Sequence, residues 1–348
     1  MSLETLKPFL ATSYENFPKG RAIGIVVLRT TQSETIFRTE GTGEPMCSEY
    51  VQAGLLSENC YSLPRLVITK RKQVAPERRR GREFLRSHNL LHTTKDKQET
   101  FTCSLNTNHP CGNCVDCFLY GFAAGKGEDI GSQKSRIWTE DAFSVLPATE
   151  LIGDRTLNAV YENGTMRLPN EAGKTEISKG LNTSEYIKPG VHFLDIVTLK
   201  DVTADELRYA LGNILLTSRY GAVSSRVGRM ENQILGVFGG IAELPSSLEL
   251  VQSVYDKLTT DGKALEHPFH TDALASATQS VIANWTSRRG ISLQLSNDER
   301  DALIADVDRH WALTEQESFL KRLDKSYESL RKVKSDNKKK GRTENQEE

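Results

Sequence analysis

No stretch of the 348-residue sequence is long and apolar enough to cross a membrane. A transmembrane helix needs about 20 consecutive apolar residues, and every apolar run here is much shorter. The N-terminal segment also lacks the basic and then apolar layout of a secretion signal. From these absences we expect a soluble, cytoplasmic protein.

Sequence signatures of several enzyme classes are missing as well. The chain has no GxxxxGK[ST] phosphate loop, no HExxH zinc motif, no GxSxG nucleophile turn and no GxGxxG dinucleotide motif between a strand and a helix. Its seven histidines are scattered, and the spaced pair His88 and His92 has no carboxylate between its members. We therefore expect no catalytic residues.

Cysteine is rare in the chain, and most of it lies in one place. Four of the six cysteines fall within fifteen positions, at Cys103, Cys111, Cys114 and Cys117. The two-residue gaps allow successive thiolates to bind one ion tetrahedrally, and without a secretion signal such a cluster favours a metal over disulfides. We predict a structural zinc ion on these four cysteines. An iron–sulfur cluster, or a site in which His109 replaces one cysteine, is a chemical alternative.

The formal net charge of −1 hides two basic stretches. Residues 65–86 contain nine basic and two acidic side chains, and residues 321–342 contain ten and three. Basic side chains beside a polyanion release its counterions and gain affinity, whereas a solubilising or partner-binding end explains the second stretch equally well. The candidate RNA-binding residues of the first stretch are Arg71, Lys72, Arg78, Arg79, Arg80 and Arg82.

Hydrophobic patterning predicts a mixed α and β chain. Strands are indicated at Arg21–Leu28, Ser135–Leu146 and Gly190–Leu199, which are rich in β-branched and aromatic residues. Thr203 and Glu206 have capping-box spacing and predict the start of a helix. A second apolar strand follows this helix after a basic loop, and apolar residues at helical spacing predict a helical C-terminal third.

The loop after the predicted helix, RYGAVSSRVGR, combines glycine and serine with three arginines. Glycine permits a close approach to a phosphate, and guanidinium groups bind phosphate in a bidentate manner. A charged turn between helix and strand is the alternative. The candidate RNA-binding residues of this loop are Arg219, Tyr220 (for base stacking), Gly221, Ser225, Arg226, Gly228 and Arg229.

Composition divides the chain into parts. Residues 45–135 are rich in glycine, proline, cysteine and charge, and Asn163-Gly164 between extended segments is typical of a hairpin turn. The predicted parts are a core (1–44 and 136–245) with a hairpin insertion (about 155–190), a zinc-bearing insertion (45–135), a helical C-terminal region (246–334) and a disordered tail (335–348).

Four motifs in this order resemble those of a known family: CVDCFLYG, SRIWTEDAF, KPGVHFLDIVTL and the glycine-rich, arginine-bearing RYGAVSSRVGR. The family is that of the RAMP-type backbone subunits of class 1 CRISPR effector complexes, and the chain is most similar to the backbone subunit of type I-D complexes. The similarity covers roughly residues 20–245. It implies that Arg136, in the arginine-bearing strand, also contacts RNA.

The resemblance implies an α+β fold: a modified RRM-like, ferredoxin-like antiparallel sheet with helices on one face. Large insertions would form a zinc-binding finger and a hairpin thumb, and the C-terminal part would be helical. Implied partners are a guide CRISPR RNA, further copies of the chain stacked head to tail along it, other effector-complex subunits, and target DNA or RNA paired with the guide.

The chain departs from the family's RNA-cleaving members, which use an aspartate in the loop after the first strand. No aspartate lies between residues 1 and 95. The acidic residues near the end of the first predicted strand are Glu34, Glu40 and Glu44. We therefore expect a subunit that is not an enzyme. A metal-dependent nuclease of the same superfamily and a zinc-dependent DNA-binding module are the alternatives.

Overall fold

The computed structural model describes residues 2–14, 17–37, 47–96, 99–107, 109–123, 131–158, 160–162, 164–169, 175–177, 180–221, 227–262 and 264–331. Within these ranges, no helix has the length and apolar character needed to span a membrane.

The strands are β1 (Ala22–Thr31), β2 (Ser48–Gln52), β3 (Ser62–Ile68), β4 (Thr93–Asp96), β5 (Glu99–Thr102), β6 (Phe122–Ala123), β7 (Ser132–Gln133), β8 (Ile137–Thr139), β9 (Ala142–Pro147), β10 (Ile152–Asn158), β11 (Arg167–Pro169), β12 (Thr175–Ile177), β13 (Leu181–Ile187), β14 (His192–Lys200), β15 (Arg219–Tyr220), β16 (Gly228–Gly240) and β17 (Ile291–Gln294). The helices are α1 (Ser2–Leu6), α2 (Lys70–Ser87), α3 (Val115–Tyr120), α4 (Ala148–Leu151), α5 (Ala204–Leu216), α6 (Ser247–Thr260), α7 (Thr271–Ile282), α8 (Asn297–Trp311) and α9 (Gln316–Lys325). Short 3-10 helices lie at Lys7–Phe9, Ser57–Asn59 and Trp285–Ser287.

One large antiparallel sheet forms the centre of the molecule, with strand order β15-β16-β1-β14-β9-β3-β2. β17 also pairs with β16, and β8 with β14. Along the chain, β1, α2, β9, β14, α5 and β16 follow one another, and β16 returns to lie beside β1. This βαββαβ order is the ferredoxin-like arrangement of RRM domains. The predicted fold class is confirmed.

Both faces of the sheet are covered, because successive side chains of a strand point to opposite sides. On the first face, Ile23 and Ile25 of β1 pack with residues of α5, α8 and α9. On the second face, Val26 and Leu28 pack with residues of α6 and α7. The expected layer of core helices lies on the first face, and the C-terminal helical part adds a layer on the second. The apolar β1 is therefore buried along its whole length.

The predicted capping box at the start of α5 is confirmed. The hydroxyl of Thr203 accepts a hydrogen bond from the backbone N–H of Glu206 (3.3 Å), and the Glu206 carboxylate accepts one from the backbone N–H of Thr203 (2.8 Å). Two backbone donors that the helix cannot satisfy internally are thereby paired.

The basic stretch after residue 65 forms α2, an 18-residue helix that packs against α5. The helices cross closely at Gly81, where a Cβ atom would lie 2.4 Å from Oδ1 of Asn213. The β2 and β3 strands before α2 belong to the large sheet. Residues 48–87 thus contribute to the sheet and its first helical layer, which the composition of this stretch did not indicate. The division into domains stays a prediction.

After β9 and α4 the chain leaves the sheet as an antiparallel hairpin, in which β10 pairs with β13. A second, shorter hairpin, β11 with β12, lies between these two strands. Gly164 has a φ of 75° in a turn closed by a hydrogen bond from Tyr161 N to Thr165 O (2.9 Å). Asn163 lies outside the described residues. The predicted disordered tail, 335–348, also lies outside them.

Candidate functional site

The four clustered cysteines meet at one buried point. Their sulfur atoms all lie within 4.8 Å of one another, and the Cys103–Cys117, Cys111–Cys117 and Cys114–Cys103 separations are 3.6, 3.9 and 3.9 Å. Four thiolates about 2.3 Å from a tetrahedral zinc ion would lie about 3.8 Å apart. The four side chains therefore fit a metal ion in a closed, structural site.

Backbone donors surround these sulfur atoms. The N–H groups of Asn113 and Cys114 donate to Sγ of Cys111 (3.4 and 3.3 Å), and the N–H of Cys111 donates to Sγ of Cys103 (3.3 Å). Such donors stabilise the thiolate form that binds a metal. The ring of His109 instead stacks on Phe101 at a centroid distance of 4.0 Å. The four sulfur atoms could thus supply all four ligands of a tetrahedral ion without His109.

Two of the predicted RNA-binding arginines point into the protein, toward this cysteine cluster. Arg78 donates to both carboxylate oxygens of Asp116 (3.0 and 2.7 Å), and Arg82 donates to the same carboxylate (2.8 Å) and to the carbonyl of Cys103. The Asp116 side chain is fully buried, and that of Arg82 is 3% exposed. Arg82 is therefore a structural residue rather than a surface contact for RNA. Arg78 likewise binds the Asp116 carboxylate with two of its nitrogens.

The outward face of α2 carries the other basic side chains. Arg79 is exposed, and Arg80 is half-exposed, pairs with Glu83 at 2.8 Å and covers the ring of Phe84. Arg71 and Lys72 lie about two turns earlier on the same helix. α2 thus divides its arginines between the cysteine cluster and the surface.

A groove of about 480 Å³ brings the first basic stretch, residues 65–86, together with the arginine-bearing loop that begins at Arg219. One wall comes from α2 and the other from the segment that ends α5 and forms β15. Three arginines and one glutamate among the lining residues give the groove a positive local charge. The lining residues are Pro76, Arg79, Arg80, Glu83, Leu216, Thr217, Ser218, Arg219, Gly221 and Val227.

The predicted glycine-rich loop leaves and rejoins the sheet beside this groove. Gly221 has a φ of 104°, and a Cβ atom there would lie 2.6 Å from the carbonyl oxygen of Ile36. Any other residue would therefore be strained in this conformation. Gly228 is buried against Thr35, and Arg219 and Arg229 are exposed. Ser225 and Arg226 lie outside the described residues.

The prediction that Tyr220 stacks on a base is wrong for this structure, because the side chain is fully buried. Its hydroxyl donates to Glu77 (3.1 Å) and accepts from Arg29 (3.1 Å) and Asn232 (2.9 Å). Burial raises the pKa of Tyr220 well above its ordinary value, and the nearby carboxylate of Glu77 raises it further. The hydroxyl therefore stays protonated as a donor.

Arg136 is also an internal residue. Its guanidinium donates to the carboxylate of Glu206 (2.9 Å for one of two bonds) and to the carbonyl of Asp201 (3.2 Å), and it covers the ring of Tyr14. The side chain is 12% exposed. The expectation that Arg136 contacts RNA is corrected accordingly. Arg136, which directly precedes β8, instead connects this part of the chain to Glu206 in the first turn of α5.

Of the acidic residues near the first strand, Glu34 forms an ion pair with Arg155 of the β10–β13 hairpin. Glu40 and Glu44 lie outside the described residues. The structure thus gives Glu34 a partner within the chain.

A family model described as Csc2 Crispr matches residues 9–321 of this sequence. The chain belongs to this family. The resemblance to RAMP-type CRISPR backbone subunits, inferred from four motifs, is thereby confirmed at the level of the family.

The Csc2-family fold is also found in a solved structure. The crystal structure of Thermofilum pendens Csc2 superposes with a TM-score of 0.58 at 19% identity, over 95% of this chain and 98% of that chain. More distant likenesses are to chains of a CRISPR RNA-guided surveillance complex, pre-nicking (TM-score 0.43, 11% identity, 76% and 89% covered), and of a Type IV-B CRISPR complex (0.38, 13%, 62% and 90%). No curated protein sequence matches the chain.

Several structurally important residues of this Csc2-family site were not predicted. Asp116 lies between two cysteines of the cluster, and its position inside a CxxC motif is a signal that it is held close to the cluster. Glu77 is one of only two acids in the basic stretch, which could have marked it as an internal partner. Arg29 and Asp195 lie in apolar strands, where a charged residue is rarely buried without a partner.

Proposed function

We propose that this Csc2-family chain binds a guide CRISPR RNA as one copy of the repeated protein backbone of a class 1 surveillance complex. Family membership supports this function, and the observation that carries it is the groove where Arg79, Arg80 and Arg219 converge from two separate stretches. Guanidinium groups on opposite walls suit the closely spaced phosphates of a single strand.

The RNA is held by its backbone in this proposal, so that its bases remain free to pair with a target. Arginine contacts to phosphate carry no sequence information, which suits a guide whose sequence varies. Affinity then falls steeply as the salt concentration rises. The partners we propose are further copies of the chain, other subunits of the complex, and the target DNA or RNA that pairs with the guide.

Finer assignments belong to the same proposal. We propose a type I-D complex, from the motif similarity, and a thumb role for the hairpin at about 155–190. We propose zinc as the ion of Cys103, Cys111, Cys114 and Cys117, with a structural role, because four protein ligands leave no position open for a substrate. We assign no catalytic residue, and a nuclease assay with guide and target tests that assignment.

The experiment is to purify the chain from cells that express a CRISPR array, sequence the RNA that accompanies it, and measure the mass of the particle. We expect repeat-spacer RNA in particles that contain several copies. The double variant Arg79→Ala with Arg219→Ala should lose this RNA while remaining folded. Arg289→Ala, which removes an exposed arginine beside the second-face helices, is the matched control. RNA retained equally by both variants would contradict the proposed site.

A further inference from the structure

A buried hydrogen-bonded network lies directly beneath the groove. Arg29 donates through two nitrogens to Oδ2 of Asp195 (3.0 and 2.9 Å), and its third nitrogen lies 2.9 Å from Oε1 of Glu77. The same third nitrogen donates to Tyr220 (3.1 Å) and to Asn232 (3.0 Å). Five elements, β1, α2, β14, β15 and β16, thus meet at one guanidinium.

Two members of this network lie next to groove-lining residues in the sequence. On α2, Glu77 directly follows Pro76 and lies two residues before Arg79. Tyr220, the last residue of β15, lies between Arg219 and Gly221. The hydrogen bond from the Tyr220 hydroxyl to Glu77, at 3.1 Å, is therefore a direct link between the two walls.

The link is rigid because its atoms are removed from water. The side chains of Arg29, Glu77 and Asp195 are at most 3% exposed, and the Tyr220 side chain is fully buried. A buried donor or acceptor that loses its partner cannot turn to solvent instead. β15 itself has only two residues, which form two pairs with β16. This short strand pairing gives Arg219 little backbone support.

We propose that Tyr220 is a positioning residue for RNA binding: its hydroxyl, held by Glu77 and Arg29, fixes Arg219 on one wall of the groove relative to Arg79 and Arg80 on the other. This inference rests on the proposed function. Contacts to successive phosphates require both walls at a fixed separation, because the spacing of phosphates in the strand is set by its covalent structure. Tyr220 does not touch the RNA in this arrangement.

The test compares Tyr220→Phe with Tyr327→Phe in the full-length protein. Tyr327 is also fully buried and also donates to a buried carboxylate, that of Glu206, but it lies at the α9 end of the first-face core. Binding of a fluorescein-labelled single-stranded guide RNA is measured by anisotropy at several salt concentrations. We expect Tyr220→Phe to weaken binding about tenfold. The slope of the logarithm of the binding constant against the logarithm of the salt concentration (the salt slope) should become shallower by about 0.7 for each phosphate that the protein no longer neutralises.

A double-mutant cycle separates positioning from general destabilisation. If the hydroxyl acts by placing Arg219, then Arg219→Ala weakens binding strongly in the wild-type background and little in the Tyr220→Phe background. Tyr327→Phe should leave both the affinity and the slope unchanged. Glu77→Met removes the acceptor at similar side-chain length and serves as the second variant if Tyr220→Phe does not fold.

Unchanged affinity in folded Tyr220→Phe or Glu77→Met, with Arg79→Ala and Arg219→Ala both weakened, would overturn the inference and leave the proposed function standing. Full additivity of the cycle would overturn it as well. Wild-type protein that binds no RNA would overturn the proposed function itself, and the inference with it.

Discussion

Arg219 and Arg229 lie directly opposite each other in the short antiparallel ladder between β15 and β16. Both side chains are exposed beside the groove, and Arg219 donates to the carbonyl of Val227 at 3.3 Å. Like charges at directly opposed ladder positions destabilise the pairing. A phosphate bound between the two guanidinium groups would remove this repulsion, so the arrangement favours a protein that has an anionic partner.

Arg229→Gln should therefore change stability and binding in opposite directions. The free energy of unfolding of the RNA-free protein is expected to rise by about 0.3 kcal/mol, because only one of the two opposed charges remains. Affinity for guide RNA should fall about tenfold, because glutamine cannot donate a charge-assisted hydrogen bond to phosphate. Urea unfolding and RNA titration measure the two effects. Arg229→Lys, which keeps the charge, is the control, and a Gln variant with undiminished affinity would remove Arg229 from the site.

Asp116 joins the cysteine cluster to α2, and its removal should be costly. Asp116→Asn leaves Arg78 and Arg82 without the carboxylate that both of them bind, although the side-chain shape is kept. Breaking a buried ion pair in this way costs about 3 kcal/mol. Denaturant unfolding checks the value. Glu83→Gln, which breaks the exposed pair with Arg80, should cost less than about 0.5 kcal/mol.

The parts of this molecule that depend on local sequence were predictable. The strand β14, the capping box of α5 and the clustering of the cysteines follow from residue type and spacing over a few positions. The basic stretch 65–86 and the arginine-bearing loop after α5 were also recognised as separate signals, but their meeting at one groove depends on the packing of α2 against α5.

The functions of individual arginines could not be predicted in the same way. Arg79 faces solvent, whereas Arg82, three residues later, is buried and donates a hydrogen bond to Asp116, which lies 34 positions further along the chain. Tyr220 looked like an exposed aromatic residue in a polar loop, but its partners Glu77 and Arg29 lie 143 and 191 positions earlier in the chain. Such long-range pairing leaves no periodic signal in the sequence.

The cysteine cluster gives a prediction about metal content and its effect on RNA binding. One equivalent of zinc should accompany the purified protein, and Cys114→Ser should lose it. Because Arg78 and Arg82 tie α2 to this cluster, loss of the metal should also weaken RNA binding through Arg79 and Arg80 on the same helix. Elemental analysis and RNA titration measure the two effects.

Cys60→Ser is the matched control for the metal experiment, because Cys60 is exposed and separate from the cluster. It should retain zinc, stability and RNA binding. Metal-free wild-type protein with full stability and full RNA affinity would refute a structural zinc ion.

Asp205 predicts a pH dependence of stability that is independent of RNA. Burial alone would raise its pKa, but hydrogen bonds from Arg322 (2.8 Å) and Arg208 (2.7 Å) outweigh burial and lower the pKa below its ordinary value. A carboxyl group whose pKa is lowered by folding stabilises the folded state above its unfolded pKa of about 3.9, and this contribution disappears as the pH falls through the folded pKa. Asp205→Asn should therefore lower the free energy of unfolding at pH 7, and the difference from wild type should shrink below about pH 4.

Denaturant titrations across this pH range measure that difference directly. Asp298→Asn is the control, because Asp298 is an exposed aspartate in the first turn of α8, as Asp205 is in the first turn of α5. Its effect should stay within about 0.5 kcal/mol at every pH, since only the helix-terminal charge is removed. Equal effects of the two substitutions would mean that the helix terminus, rather than the two arginines, stabilises the Asp205 carboxylate. If the two effects differ at neutral pH and become equal only at acidic pH, the stabilisation comes from the ion pairs of Asp205 with Arg208 and Arg322, the second of which joins α5 to α9.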